Sequence, residues 1–253
     1  LPSVEDGRKY VLCADGEGGQ YICPESLWPR RETRPAQGGG VCAASSAQEK
    51  IALFLSLFRG REDVCARRYY SLKTGKSGYV PLCRNEWEPG LCDKKAHRCP
   101  DCPNRAFVPL TAQIVKAHLM GQDGYGRDVA GIYPMLEDDR TRLLAADFDE
   151  TSWREDVAAL RKTCVSFGFT PAVERSRSGN GAHVWFFFSE PVPAAEARKL
   201  GSALLTRTMD RRHELRFQSY DRLFPSQDTV PKGGFGNLIA LPFQGQAQRD
   251  GNT

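Results

Sequence analysis

LLAADFDE, residues 143–150, places two aspartates at the end of an apolar run that has the pattern of a β-strand. We predict a strand over residues 142–148. Side chains two residues apart on a strand lie on the same face of the sheet, so Asp147 and Asp149 are expected to point to one side. Two carboxylates at that separation can hold one or two Mg²⁺ or Mn²⁺ ions, although such pairs are also common on solvated strand ends.

ERSRSGNGAHVWFFF, residues 174–188, supplies the context for this carboxylate pair. It predicts strands at residues 172–177 and 182–188 that flank a glycine-containing turn. Small residues in such a turn let backbone N–H groups approach phosphate oxygens. The donors and cations expected around the phosphate are Ser178, His183, Arg175 and Arg177. The alternative is a plain β-turn followed by a core histidine.

A third element is SQDTVPKGGFGNLIALP, residues 226–242, which ends in a predicted strand at residues 237–241. Asp228 could complete a carboxylate triad, and Lys232 offers a further phosphate contact. The alternative is a surface loop that precedes a strand. Taken together, the three elements predict a metal-dependent site for a nucleoside triphosphate, with phosphoryl or nucleotidyl transfer as its chemistry.

The order of the predicted elements indicates an α+β fold. Helices are expected at residues 152–167 and 193–209, between the strands named above, and the resulting β-α-β-β-α-β order is typical of an RNA-recognition-like sandwich. Capping boxes of Ser46 with Glu49 and of Ser152 with Glu155 predict two helix starts. A short helix is also expected at residues 111–119.

Cysteines cluster between positions 83 and 102, where they form the pattern C-x8-C-x6-C-x2-C. Zinc takes four such ligands in a tetrahedron, so a closed, structural zinc knuckle is predicted. His97 is a possible substitute ligand. The alternative, four buried free thiols, is less favoured because the intervening segment is polar. The four predicted ligands are Cys83, Cys92, Cys99 and Cys102.

A basic and aromatic stretch covers residues 59–79. Its arginines and lysines could contact phosphates and its tyrosines could stack on bases. A solvated edge with core tyrosines explains the same residues equally well.

Composition sets the broad class of the protein. The chain has 253 residues, of which 40% are hydrophobic and 26% charged, as in a soluble globular protein of one large or two small domains. It contains no apolar run of 18 residues, which argues against a membrane protein. The net charge of +4 permits a nucleic-acid partner without requiring one.

The N-terminal region is the least informative. The chain starts at Leu1 instead of a methionine, so we expect a domain of a longer protein. Residues 31–40 have the composition of a linker. Nine cysteines without a secretion signal indicate a reducing cytoplasm. Free thiols are expected at Cys13, Cys23 and Cys42.

As an ordered set, these motifs resemble the archaeo-eukaryotic primase superfamily. The correspondence is with its paired aspartates (Asp147 and Asp149), its S-x-H-like element (Ser178 to His183) and a later acidic residue (Asp228). More closely, the sequence is similar to the primase-polymerase domains of TOTE conflict systems and of CRISPR-associated primase-polymerases. The similarity covers roughly four fifths of the chain, because further segments such as KSGYVPLCRNEW and RCPDCPNRAF take part.

The resemblance implies template-directed primer synthesis and extension on single-stranded DNA, with dNTPs or NTPs and Mn²⁺ or Mg²⁺. It implies a catalytic domain over residues 46–253 and leaves residues 1–45 as an extension. A fused or associated helicase, nuclease or CRISPR adaptation protein and a prokaryotic cytoplasm are further expectations. The implied metal ligands are Asp147, Asp149 and Asp228, with Asp228 chosen over Asp221 as the third ligand. The implied triphosphate ligands are Ser178, Asn180, His183 and Lys232.

Two other functions fit the same residues. The first is a catalytically silent nucleic-acid-binding module that uses the zinc knuckle and the basic stretch. The second is a metal-dependent phosphohydrolase or nuclease, which would shorten DNA instead of extending it.

Overall fold

The computed structural model of the chain describes residues 10–14, 20–24, 41–149, 151–168, 170–211 and 220–252. The predicted linker at residues 31–40 and the side chains of Cys13 and Cys23 lie outside this description. Within it, no helix is long and apolar enough to cross a membrane.

The described elements alternate between strands and helices, which confirms the predicted α+β class. The strands are β1 Tyr10–Ala14, β2 Gln20–Pro24, β3 Ala66–Tyr70, β4 Ser77–Pro81, β5 Ala130–Ile132, β6 Arg140–Asp149, β7 Ala172–Arg175, β8 Gly181–Pro193, β9 Tyr220–Phe224 and β10 Ile239–Ala240. The helices are α1 Ala47–Leu57, α2 Ala112–Met120, α3 Trp153–Ser166, α4 Ala194–Arg211 and α5 Gly245–Arg249.

The strands form a β1–β2 hairpin and two four-stranded sheets. Sheet I has the order β10-β5-β3-β4, and sheet II has the order β7-β8-β6-β9. All the strand pairs are antiparallel. Sheet II has two inner strands, β8 and β6, and β6 carries Asp147 and Asp149.

The last strand of sheet II differs from the prediction. The sequence places this strand at residues 237–241, but Ile239 and Ala240 pair with β5 in sheet I. The strand that pairs with β6 is β9, at Tyr220–Phe224. The apolar run at 237–241 is the stronger strand signal in the sequence, whereas β9 contains the charged pair Asp221 and Arg222 and has no clear alternation.

One of the two predicted capping boxes forms. Ser46 accepts a hydrogen bond from the Glu49 backbone and donates its own N–H to the Glu49 carboxylate at 2.8 Å. At the start of α3, Ser152 makes no side-chain cap bond. Its hydroxyl donates to Asp156 instead, at 2.9 Å, so the second predicted box is wrong. The Ser152 backbone, at φ −96° and ψ 7°, does not have the extended conformation that directs an N-cap side chain back to the first turn.

The layers follow from the alternation of side chains along β6. Leu144, Ala146 and Phe148 pack with residues of α3 and α4 in one core cluster. Leu143 and Ala145 point the other way, into a second cluster that includes residues of sheet I, α1 and α2. Because side chains alternate strictly, Asp147 and Asp149 continue the second row. The two aspartates therefore lie on the face of sheet II that is directed toward sheet I.

Candidate active site

A row of polar side chains runs across sheet II. The register pairs Glu174 of β7 with His183 of β8, His183 with Asp147 of β6, and Asp147 with Arg222 of β9. Directly opposed residues on antiparallel strands have side chains on the same face and in contact distance. The four residues form a line perpendicular to the strands, and this line is the base of the candidate site.

Three carboxylates gather at the end of this row. One oxygen each from Asp147, Asp149 and Asp221 lies within 4.8 Å of the other two. Carboxylate oxygens in such a group are hard ligands suited to Mg²⁺ or Mn²⁺, so the donor set fits a divalent cation. The predicted pair on β6 is thus joined by a third carboxylate from β9.

A β-bulge brings Asp221 into the group. Arg222 pairs with Asp147, but the next residue of β6, Phe148, pairs with Tyr220, so the register skips Asp221. In a regular ladder Asp221 would oppose Phe148, whose side chain is buried against α3 and α4. The bulge leaves Asp221 unpaired in the ladder and re-aims its carboxylate toward the aspartates of β6.

The electrostatics of the cluster favour the binding of a cation. Burial, with the nearby Asp149 and Asp221 carboxylates, raises the pKa of Asp147 to about 6 against the opposing effects of His183 and Arg222. Three carboxylates at this separation repel one another, and a bound divalent ion would remove that repulsion.

His183 is held by carboxylates on both of its ring nitrogens. Nδ1 lies 2.7 Å from a Glu174 oxygen, and Nε2 lies 3.4 Å from Oδ1 of Asp147. Burial lowers the pKa of His183, but its hydrogen bond to Glu174 and the charges of Glu174, Asp147 and Asp149 outweigh this effect and raise the pKa above its ordinary value. The ring is therefore suited to donate a hydrogen bond to an anion beside Asp147.

Sequence reasoning missed Glu174 as a part of this site. Glu174 is buried, and it also accepts a hydrogen bond from Trp185 Nε1 at 3.4 Å. Glu174 lies beside His183 because β7 pairs with β8 across the turn. The sequence ERSRSGNGAH would predict that Glu174 pairs with His183 only if the number of residues in the turn were known.

The turn between β7 and β8 carries the predicted phosphate donors. The N–H of Ser176 donates to the Gly181 carbonyl at 2.9 Å, and the N–H of Gly179 donates to the Ser176 carbonyl at 2.8 Å. The Ser178 hydroxyl lies 3.0 Å from that of Ser176 and accepts from the Asn180 N–H at 3.3 Å. Ser178 and Asn180 are exposed, so both side chains are accessible to a ligand.

Two glycines permit this turn beside the aspartates. Gly179 has φ +77°, a conformation that strongly favours glycine. Gly181 opposes Asp149, and a Cβ there would lie 2.6 Å from the Asp149 carboxylate and 2.4 Å from the Phe148 carbonyl. Any side chain at position 181 would therefore displace Asp149.

The two arginines near the turn have different environments. The Arg175 guanidinium donates to the Gly179 carbonyl at 2.9 Å and to the Gly251 carbonyl at 3.2 Å. It therefore braces the turn against the chain after α5. Arg177 is exposed and lies beside the Tyr79 hydroxyl of β4. Only Arg177 is presented at the rim as the sequence predicted for both.

Of the two residues predicted from the third motif, Asp228 is not part of the carboxylate cluster. Asp228 forms an ion pair with Arg198 of α4, and it is not among the described carboxylates that approach one another within 4.8 Å. Lys232 is exposed on a turn closed by the Gly234 N–H and the Pro231 carbonyl at 2.7 Å. The third carboxylate of the cluster is Asp221, whereas the sequence favoured Asp228.

The four clustered cysteines are reduced and line one cavity of about 20 Å³. A cavity of this size has space for one ion or water molecule. The Cys83 sulfur accepts a hydrogen bond from the Ala106 N–H at 3.4 Å. Among the described residues, however, these sulfur atoms are not gathered as tightly as the three aspartate oxygens. His97 also lines the cavity.

The chain is similar to a known protein family and to a solved structure. The family model described as the Archaeo-Eukaryotic Primase domain of TOTE conflict systems matches residues 49–253. A solved structure of the polymerase domain from Mycobacterium tuberculosis Ligase D in complex with DNA is similar, with 11% sequence identity and a TM-score of 0.43. That similarity covers 79% of this chain and 76% of the other. A comparison with curated proteins finds no match.

The geometry of the carboxylate cluster predicts different effects for two substitutions. Asp221→Asn should weaken Mn²⁺ binding at least about tenfold, because it removes a charged ligand from the cluster. Asp228→Asn should leave Mn²⁺ affinity unchanged, because Asp228 is paired with Arg198. Titration of the free protein with Mn²⁺, followed by electron paramagnetic resonance, measures both. The opposite ranking of the two variants would contradict this assignment.

Proposed function

The chain belongs to the Archaeo-Eukaryotic Primase domain family of TOTE conflict systems, and from that membership we propose that it is a DNA primase-polymerase. In this proposal it is a nucleotidyltransferase that makes and extends primers on a single-stranded DNA template, with dNTPs or NTPs as substrates. The observation that carries the proposal is the group of Asp147, Asp149 and Asp221 beside His183 and the 176–181 turn. Nucleotidyl transfer needs cation ligands and a triphosphate site side by side, and this face of sheet II offers both.

We propose Asp147, Asp149 and Asp221 as the ligands of catalytic Mg²⁺ or Mn²⁺, with Asp221 replacing Asp228 as the third ligand. Bound divalent ions would lower the pKa of an attacking 3′-hydroxyl and neutralise charge on the triphosphate. The protein's own part is to hold three carboxylates together on one rigid sheet. The register of β6 with β8 and β9 does so.

The triphosphate is proposed to lie over the 176–181 turn. Ser178 and Asn180 would donate from the turn itself, and His183 would donate from the floor of the site through Nε2. Glu174 is a positioning residue, because its bond to Nδ1 leaves Nε2 directed at the site. Arg177 and Lys232 are exposed cations, and we propose them as further phosphate contacts. Arg175 acts indirectly, since it holds the turn.

The extent and architecture of the domain are part of the proposal. Residues 46–253 would form the catalytic domain and residues 1–45 an extension of it. Sheet II with α3 and α4 would be the RNA-recognition-like half, since β6, α3, β7, β8, α4 and β9 follow one another in β-α-β-β-α-β order. We propose a reducing prokaryotic cytoplasm as its setting, in line with the free thiols. A fused or associated helicase, nuclease or CRISPR adaptation protein remains an expectation from the family.

A structural zinc ion is proposed at Cys83, Cys92, Cys99 and Cys102. Support comes from the shared cavity and from the composition of the ligand set. Burial raises the pKa of the Cys99 thiol, Lys94 opposes this effect, and the nearby Cys92 and Cys83 add to it. Zinc at about 2.3 Å from each sulfur would draw the four thiolates into a tetrahedron.

The test of the proposed function is a synthesis assay. We expect the protein to form new labelled strands from single-stranded DNA and labelled nucleotides in Mn²⁺ or Mg²⁺, resolved on a denaturing gel. Asp147→Asn should reduce synthesis at least about a hundredfold while its circular dichroism stays native, because it removes a ligand that acts on the transition state. Full synthesis by this variant would remove Asp147 from the active site.

The same assay separates the competing functions. A nuclease would shorten the labelled template in a metal-dependent manner. A silent binding module would retain the DNA in EDTA and incorporate no nucleotide with any metal. The exposed Ser178, Asn180 and Lys232 favour a triphosphate substrate over both.

His183 provides a more specific test of the triphosphate site. His183→Ala should raise the apparent KM for nucleotide by roughly 10- to 100-fold with a smaller effect on kcat, because a charge-assisted hydrogen bond to substrate is lost. Glu174→Gln should raise KM less, since the amide oxygen can still accept from Nδ1. Steady-state kinetics under varied nucleotide concentration give both values, and an unchanged KM in His183→Ala would exclude that role.

Metal analysis tests the zinc proposal. The purified protein should contain about one zinc ion per chain, and Cys99→Ser should lose the zinc and lower the melting temperature. Cys42→Ser is the matched control, because Cys42 is an exposed thiol outside the cavity. Zinc retained in full by Cys99→Ser would exclude Cys99 as a ligand.

A further inference from the structure

The β3–β4 hairpin of sheet I has two chemically different faces. The register pairs Arg68 with Tyr79 and Tyr70 with Ser77, so these four side chains share one face. Arg67 and Tyr69 belong to the other face. The basic and aromatic residues that are mixed along the sequence are therefore sorted by the strand into two separate surfaces.

The first face carries stacked planar groups. The rings of Tyr70 and Tyr125 are stacked, with centroids 5.3 Å apart and planes 19° apart. Arg68 fixes the loop that holds Tyr125, because its guanidinium donates to the Tyr125 carbonyl at 2.6 Å. Arg127, which is paired with Asp123, lies 5.2 Å from the centre of the Tyr125 ring. The Tyr125 side chain is still 47% exposed.

The charge of the hairpin is uniformly positive. Between Ala66 and Tyr79 the sequence contains four cations and no acidic residue. Lys73 and Lys76 lie at the hairpin end, both exposed, and neither forms an ion pair with another residue that the structure describes. Free ammonium groups at the end of a hairpin that also carries aromatic rings are complementary to a polyanion with planar bases.

This face continues into the candidate active site. Burial raises the pKa of the Tyr79 hydroxyl, and the guanidinium groups of Arg177 and Arg68 beside it oppose that rise. Arg177 belongs to the turn between β7 and β8, which also carries the proposed triphosphate donors. Tyr70 and Tyr79 lie opposite Ser77 and Arg68, and hence about two residues, or roughly 7 Å, apart along the strands. The surface thus leads from the stacked rings to the turn.

The opposite face of the hairpin has fewer unpaired cations with which to bind a nucleic acid. Arg67 is paired with Glu86 at 2.6 Å, and the same carboxylate binds Lys94 at 2.6 Å. The Tyr69 ring is packed across Gly78. Trp87 is 69% exposed, but Lys94 lies over its ring at 4.2 Å from the centroid. The cations Arg67 and Lys94 of this face are neutralised by Glu86. Among the described residues, no hydrogen bond joins this face to the turn that carries Ser178.

We propose that the surface formed by Arg68, Tyr70, Lys73, Lys76, Tyr79 and Tyr125, here the hairpin platform, binds the single-stranded DNA template and leads it to the active site. The proposal rests on the proposed primase-polymerase function. Bases would stack on the Tyr70–Tyr125 pair, and the cations would contact the phosphates. Readout would be insensitive to base sequence, since each base offers a π-face.

Tyr125→Ala gives the sharpest test, because it removes the exposed ring and keeps the backbone carbonyl that Arg68 holds. The measurement is fluorescence anisotropy of a labelled single-stranded oligonucleotide of mixed sequence, in EDTA and without nucleotide. Loss of one stacked base should weaken binding by about 5- to 100-fold. Trp87→Ala, which removes a more exposed ring on the other face, is the matched control and should bind like the wild type.

Salt dependence reports on the cations. Lys73→Ala and Lys76→Ala should each lower the slope of log affinity against log salt by roughly 0.7, the value for one phosphate contact on a single strand. A duplex of the same length should compete poorly, because its bases are already stacked. A purely structural role of the lysines would leave the slope unchanged.

The outcomes distinguish a failure of the hairpin platform from a failure of the proposed primase-polymerase function. Wild-type affinity in Tyr125→Ala, or loss in Trp87→Ala instead, would overturn the hairpin platform even if primers are still made. Absence of single-strand binding by the wild type would overturn it as well. If Tyr125→Ala loses binding and the wild type makes no primers, the platform stands and the primase-polymerase function fails.

Discussion

The register of β6 is the constraint on which the candidate site depends. It places Asp147 opposite His183 on one side and Arg222 on the other, and it places Asp149 opposite Gly181. Three carboxylates that repel one another are thereby fixed on a sheet whose other residues form two apolar cores. The packing of those cores offsets the repulsion among the carboxylates, and within the cluster burial and the neighbouring carboxylates raise the pKa of Asp147.

The turn between β7 and β8 depends on a second, more distant support. Arg175 bridges the turn to the Gly251 carbonyl, and the Asn252 side chain donates to the Arg177 carbonyl at 3.3 Å. Asn252 in turn donates its N–H to the Ala247 carbonyl of α5 at 2.8 Å. The end of the described chain therefore holds the proposed triphosphate turn in place. A site on a loop gains precision when its supports lie outside the loop, as they do here.

Much of this arrangement could be predicted from the sequence, and the failures have physical causes. The alternation of side chains along a strand was sufficient to place Asp147 and Asp149 on one face. The ordered motifs were sufficient to identify the family. Asp228 was preferred to Asp221 as the third carboxylate because a bulge, which breaks the alternation of side chains, has no signature in a strand of mixed charge. The role of Arg175 could not be predicted either, because only the tertiary structure shows that its guanidinium donates to the Gly251 carbonyl.

The core and the site are also linked through Trp185. Its ring is buried between the two sheets, edge-on to Phe58 with centroids 5.0 Å apart, and its indole N–H reaches Glu174 at 3.4 Å. Glu174 holds His183, and His183 faces Asp147. A chain of contacts therefore runs from the segment that follows α1, through the apolar core, to the carboxylate cluster. Because interiors are close-packed, packing at Trp185 contributes to the orientation of His183 together with the contacts of His183 to Glu174 and Asp147. Residues remote from substrate therefore contribute to the geometry of the site.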